Sequence, residues 1–181
     1  MRGVRVILSG FILVVALSVD AQSVKPVGPY YIAGINSFDT LTNRFHGRVV
    51  YVDMWATWCK PCVAELLDKK HIDAFKAFAI KNRIAIVYLS LDKNEKSWRN
   101  FVDTHQLYGY QVLVNDTLFK QLKEKFSISQ IGSIHYVRKG LPIPRHMIID
   151  REGKVVDSVA GAQSTKYAYD TITALLGASV K

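Results

Sequence analysis

Two stretches, RVVYVDMW (Arg48 to Trp55) and IAIVYLSL (Ile84 to Leu91), constrain the fold more than anything else in the chain. They are nearly continuous runs of β-branched, aromatic and aliphatic residues, the pattern of strands covered on both faces in a mostly parallel sheet. The segment between them, PCVAELLDKKHIDAFKAFAIKN, reads as one helical crossover long enough to join parallel neighbours. Trp98, Phe101, Val102 and His105 then recur at helical spacing behind Asn94, a suitable cap. QVLV (Gln111 to Val114) follows as a short strand, and Leu118, Phe119, Leu122 and Phe126 mark a further helix.

The ending has a different rhythm. RHMIID (Arg145 to Asp150) and KVVDSVA (Lys154 to Ala160) are separated only by Arg151-Glu152-Gly153, too short for a crossover and suited to an antiparallel hairpin. Ala168, Ile172, Leu175 and Leu176 then describe a last helix, capped by Ser164 or Thr165. The element order is therefore βαβαβα followed by ββα, an α/β arrangement with a mixed sheet and helices on both faces. Ser127 to Leu141 matches neither period and is left as a long loop or an extra short strand.

Residues 1–21 are set apart from this domain. A basic start, MRGVR, precedes the apolar run Val6 to Val19, which falls short of the roughly 20 residues a spanning helix needs. Val19 and Ala21 suit cleavage before Gln22, so the segment reads as an export signal, with an uncleaved anchor as the alternative. Residues 22–181 then form one domain at the periplasm or the outer face of the cytoplasmic membrane. The net charge of +9 comes from lysines and arginines dispersed among acidic residues, with no nucleic-acid-binding motif, so no nucleic-acid partner is expected.

Cys59 and Cys62 are the only cysteines, and they fall where a strand gives way to a helix. Residues three apart share a helical face, so the two sulfurs can reach bonding distance. The first sits where unpaired backbone N–H groups and the helix dipole favour a thiolate, which makes Cys59 the nucleophile. Lys60 adds a positive charge, and Pro61 suits the first turn, where its missing N–H costs little. A purely structural disulfide closing so short a loop would remove little chain entropy. A zinc site would need further ligands, yet His46, His71, His105, His135 and His146 are scattered singly, so no metal is expected.

With VDMWATWCKPC (Val52 to Cys62) in hand, the chain resembles the thioredoxin superfamily, and within it the exported TlpA/ResA-like thiol-disulfide oxidoreductases. IPRHMIID followed by REGKVV is similar to that family's cis-proline strand and its hairpin. The likeness runs from about residue 30 to residue 176, with Glu95 to Val114 resembling the helix-strand insertion of this branch. It implies a redox-active Cys59/Cys62 pair with no other cofactor, Cys62 resolving mixed disulfides formed on Cys59. It implies that Asp53 assists proton movement at Cys62, and a carboxyl on an otherwise apolar strand should indeed have a raised pKa. A strand-end aspartate reaching water is the plainer alternative.

The resemblance also makes Pro144 a cis-proline that frees the Ile143 backbone to pair with an extended substrate; an edge-strand proline with a trans bond is the alternative. Trp58, Lys60 and Pro61 would flank the substrate, while Trp55 is read as core. Glu65 is either near the site or an exposed partner of Lys69. Leu67 replaces a usual proline, which implies a straighter helix beyond Leu66. Arg145 replaces the glutamate typical of cytochrome c maturation members, and His146 lies close to the site in this reading, although a strand histidine is more often a satisfied structural one. The implied activity is reduction of disulfides in exported proteins by a monomer recharged by a membrane thiol-transfer electron donor. An oxidase or isomerase with the same site, a non-catalytic module or a thiol metal chaperone are the rivals. The Pro-x-x-x-Thr-x-x-Cys pattern of a peroxidase is missing, since Ala56 stands where the threonine would be.

Overall fold

The computed structural model describes residues 28–131 and 137–177, with side chains described outside 128–139. The expected leader lies outside the described residues. A mixed sheet of six strands forms the centre. Its order is β1 (Pro29–Tyr31), β4 (Gly109–Leu113), β3 (Ala85–Ser90), β2 (Val50–Trp55), β7 (Arg145–Ile149) and β8 (Val155–Ala160). The pairs from β1 through β2 are parallel, and β7 and β8 run antiparallel. β2 and β3 are buried at every position, as their unbroken apolar runs require.

Alternation along the strands divides the core into two layers. Tyr51, Trp55, Ile86, Tyr88 and Ile148 face one side. They pack under α2 (Lys60–Leu67), α3 (Lys69–Lys81), α4 (Glu95–His105) and α6 (Lys166–Gly177). Val50, Val52, Met54, Val87, Leu89, Met147 and Ile149 face the other, against α1 (Phe38–Arg44) and α5 (Asp116–Phe126). This is the thioredoxin-like arrangement expected from the sequence, with the α4–β4 insertion built into the sheet between β3 and β1.

Three local features depart from the sequence reading. The crossover is two helices, because Asp68 ends α2 and caps α3, its carboxylate accepting from the His71 N–H at 3.4 Å and contacting His71 Nδ1 at 2.7 Å. The chain therefore breaks just past Leu67 instead of running straight, a capping aspartate replacing a proline as the interruption. Second, β1 and α1 precede the first strand read from the sequence; Ser37 caps α1 through the Thr40 N–H at 3.0 Å. Third, the unassigned segment carries β5 (Ile128–Ile131) and β6 (Val137–Gly140), paired antiparallel as a separate two-stranded sheet.

Gly109 starts β4 with φ +118°, and a Cβ there would stand 2.8 Å from the Ile86 carbonyl oxygen, so the close approach of β4 to β3 needs glycine. Asn94 and Asn115 cap α4 and α5, accepting from the Ser97 and Leu118 N–H groups at 2.9 and 2.8 Å. Among the described residues, no helix is long and apolar enough to cross a membrane.

Candidate active site

Cys59 is the N-cap of α2, and its Sγ accepts from the Cys62 N–H at 3.3 Å. Pro61 lies in the first turn, and Cys59 and Cys62 are joined in a disulfide with Cα atoms 5.3 Å apart. Both sulfurs belong to largely buried residues, Cys62 the deeper at 1% exposure against 6% for Cys59. Lys60 and Pro61 are exposed beside them, and Trp58 projects into solvent at 65% exposure. Trp55 is wholly buried against Phe101.

The loop that presents Cys59 is anchored from β3. Asp92, itself buried, accepts from the Thr57 N–H at 2.9 Å, the Thr57 hydroxyl at 2.6 Å and the Ser90 hydroxyl at 2.7 Å. Sequence reasoning passed over Asp92; an acidic residue directly after a fully buried strand was the available signal.

The Ile143–Pro144 peptide is cis. Because Met54 pairs with Arg145 in the β2–β7 ladder, Pro144 falls level with Trp55, where β2 ends ahead of the cysteine loop. Ile143 packs against the core layer that contains both cysteines. Arg145 turns to the opposite face: its Nε donates to the Ser158 carbonyl at 2.9 Å and its guanidinium lies 5.9 Å from the Phe126 ring centroid.

Asp53 shares its sheet face with Tyr51 and Trp55 by strand alternation, on the layer that holds Cys62. It is 2% exposed and accepts from Gln163 Nε2 at 3.3 Å. Burial raises its pKa to about 6, with the neighbouring Glu65 charge adding to the rise and His146 and the Gln163 hydrogen bond opposing it. Gln163, from the loop after β8, also donates to the Tyr88 hydroxyl at 3.2 Å.

His146 lies directly opposite Asp53 in the ladder. Its Nε2 is 3.7 Å from Asp53 Oδ1 and 3.1 Å from Glu65 Oε2, and its ring stacks on Tyr51 with centroids 5.8 Å apart. Burial acts to lower the His146 pKa, but Glu65, Asp53 and the Ala160 carbonyl outweigh it and the net shift is upward. The surface-pair alternative for Glu65 does not hold, since Lys69 pairs with Asp73 at 2.6 Å. His146, close to the site in the sequence reading but taken there as structural, is thus in contact with both carboxylates of an acid-imidazole cluster. Among the described residues, no group of histidines, cysteines and carboxylates could hold a metal ion.

A buried disulfide between cysteines three apart at a helix N-terminus, an exposed aromatic beside it and a buried carboxyl on the same sheet face make an arrangement chemically able to support thiol exchange. A family model described as thioredoxin-like matches residues 47–155, and the chain belongs to that family. A thiol-disulfide oxidoreductase ResA from Bacillus thuringiensis subsp. konkukian is 27% identical over 120 residues, 66% of this chain and 59% of that protein. The thioredoxin-like protein YneN of Bacillus subtilis is 28% identical over 125 residues, 66% of this chain and 61% of its own length. The chain thus spans less than two thirds of these curated relatives. A candidate thiol-disulfide oxidoreductase from Bacteroides vulgatus, solved in solution, is 28% identical with a TM-score of 0.57 over 77% of this chain and 80% of that one.

Proposed function

We propose that the protein is a thiol-disulfide oxidoreductase of the cell envelope that reduces disulfides in other exported proteins. The observation that carries this reading is the Cys59–Cys62 disulfide at the α2 N-terminus, with Asp53 buried on the same face of the sheet. In the reduced protein, the Cys59 thiolate attacks a client disulfide, forming a mixed disulfide and expelling one client thiolate. Asp53 takes the Cys62 proton, and the Cys62 thiolate attacks Cys59 Sγ, releasing the second client thiolate and closing the Cys59–Cys62 bond. Two electrons pass to the client, and a membrane thiol-transfer protein returns them. The Ile143 backbone beside Pro144 pairs with the extended client segment, flanked by Trp58, Lys60 and Pro61.

Cys59→Ser should abolish reduction of a model protein disulfide such as insulin, whereas Cys62→Ser should accumulate mixed disulfides on Cys59. Turnover surviving Cys59→Ser would overturn the assignment. A strongly oxidising reduction potential would favour the oxidase or isomerase reading over the reductase. Stoichiometric metal on the dithiol with no disulfide turnover would favour the chaperone.

A further inference from the structure

A cleft of about 220 Å³ opens beside α2 and the start of α3, lined among others by Asp53, Glu65, Asp68, His71, His146 and Gln163. None of Cys59, Cys62, Trp58 and Pro144 lines it. Asp53 is at its buried end, Glu65 is partly exposed, and His146 Nε2 lies between their carboxylates. That nitrogen is buried and, despite its ion-pair distances, lacks an aligned hydrogen-bond partner. Nε2 faces two carboxylate oxygens, which only accept when ionised, so a proton on this nitrogen is the favourable arrangement between them.

We infer that His146 is a positioning residue that relays protons between Asp53 and Glu65, so that Asp53 exchanges with solvent through this cleft while a client covers the disulfide. The inference rests on the thiol-exchange reading above. As Asp53 takes the Cys62 proton, His146 Nε2 gives its own proton to Glu65 and receives the one passing through Asp53, so that removal of the Cys62 proton and its exit are coupled. Glu65 then loses its proton to cleft water, which returns the trio to its starting charge. Reduction of the protein runs the same transfers in reverse.

Other ionisable neighbours are Tyr51 beneath the ring and Tyr88 behind Gln163, with Asp68 and His71 at the cleft wall. Burial holds both tyrosines neutral, their pKa values well above ordinary. Burial brings Asp53 up to about 6, and His146, also shifted upward, faces it directly across the β2–β7 ladder, so these two are the deep groups placed to exchange a proton.

The experiment separates the two thiol steps. The reduced full-length chain is mixed with an aromatic disulfide whose thiolate is coloured. The first thiolate reports attack by Cys59, and the second reports resolution by Cys62. His146→Gln should leave the first phase unchanged and slow the second about tenfold or more near neutral pH. His146→Ala should be slow in the same phase and recover when free imidazole is added. Glu65→Gln, on a partly exposed side chain, should slow the second phase too, and it serves if the His146 variants do not fold. A second phase at the wild-type rate in the folded variants across about pH 5 to 9 would overturn the relay, as would a slowed phase that imidazole does not restore. Failure of the wild type to show either phase would instead remove the thiol-exchange reading, and the relay with it.

Discussion

Asp92 grips Thr57 twice, accepting its backbone N–H at 2.9 Å and its hydroxyl at 2.6 Å. Thr57 is two residues ahead of Cys59, so this carboxylate fixes the approach to the helix N-terminus. Asp92→Ala should leave both donors and the Ser90 hydroxyl without their acceptor and destabilise the fold by about 2–3 kcal/mol. Thr57→Val keeps the backbone bond and should cost about 1 kcal/mol. Urea midpoints at constant slope measure both. If the double variant loses the plain sum of the two, the residues do not act together.

Asp53 makes stability depend on pH with a sign opposite to that of a salt-bridged carboxylate. Its folded pKa of about 6 exceeds the ordinary aspartate value of 3.8, so the folded state binds the proton more tightly. Its contribution is most favourable below the unfolded value and is lost as pH rises between the two. Asp53→Asn should therefore be more stable than wild type above about pH 6, by up to on the order of 3 kcal/mol, and should lose that advantage toward pH 4. His146, with its pKa raised, stabilises the protonated state and loses that contribution as pH rises through its folded value. Thermal unfolding of both proteins across pH gives the difference curve; a variant less stable than wild type at pH about 8 contradicts the assignment.

Gly109→Ala tests how tightly the insertion is seated. The added methyl would meet the Ile86 carbonyl oxygen at 2.8 Å, a backbone atom that cannot swing away, at φ +118°. A loss of about 2–4 kcal/mol follows from strain and overpacking together. Amide exchange along β4 should accelerate, and unchanged protection there would mean that the ladder tolerates the shift.

Trp58 is 65% exposed, so Trp58→Ala should change stability by no more than about 0.5 kcal/mol. An exposed tryptophan beside a reactive cysteine is a strong candidate anchor for a client. Its loss should raise KM for a protein disulfide about fivefold or more with kcat little changed. Equal kinetics in the variant would remove Trp58 from the binding surface.

Much of this could be read along the chain because burial on both faces leaves a local imprint. The runs Arg48 to Trp55 and Ile84 to Leu91, the cap Asn94 and the hairpin around Gly153 each signal their structure within a few residues. The Asp68 break was less visible, since its signal is one capping side chain inside an otherwise continuous helical pattern. β1, three residues long, was too short to show a period. The acid-imidazole cluster was legible only in part. Asp53 declares itself as a carboxyl on an apolar strand, but its encounter with His146 is fixed by the register of strands almost a hundred residues apart, and Glu65 joins them from a helix. Gln163 carries no signal at all, because a glutamine in a loop becomes informative only when its donor is seen to meet a buried oxygen.

The placement of β4 between β3 and β1 has a consequence for attempts to pare the protein down. An appendage could be trimmed to yield a minimal domain, but this insertion forms an internal row of the sheet. Excising it would uncover the flank of β3 and strand the N-terminal segment, whose ladder contacts among the described residues are all with β4. A shortened version would need a new strand in that slot, and the segment grafted there would have to begin with a residue as small as the one it replaces.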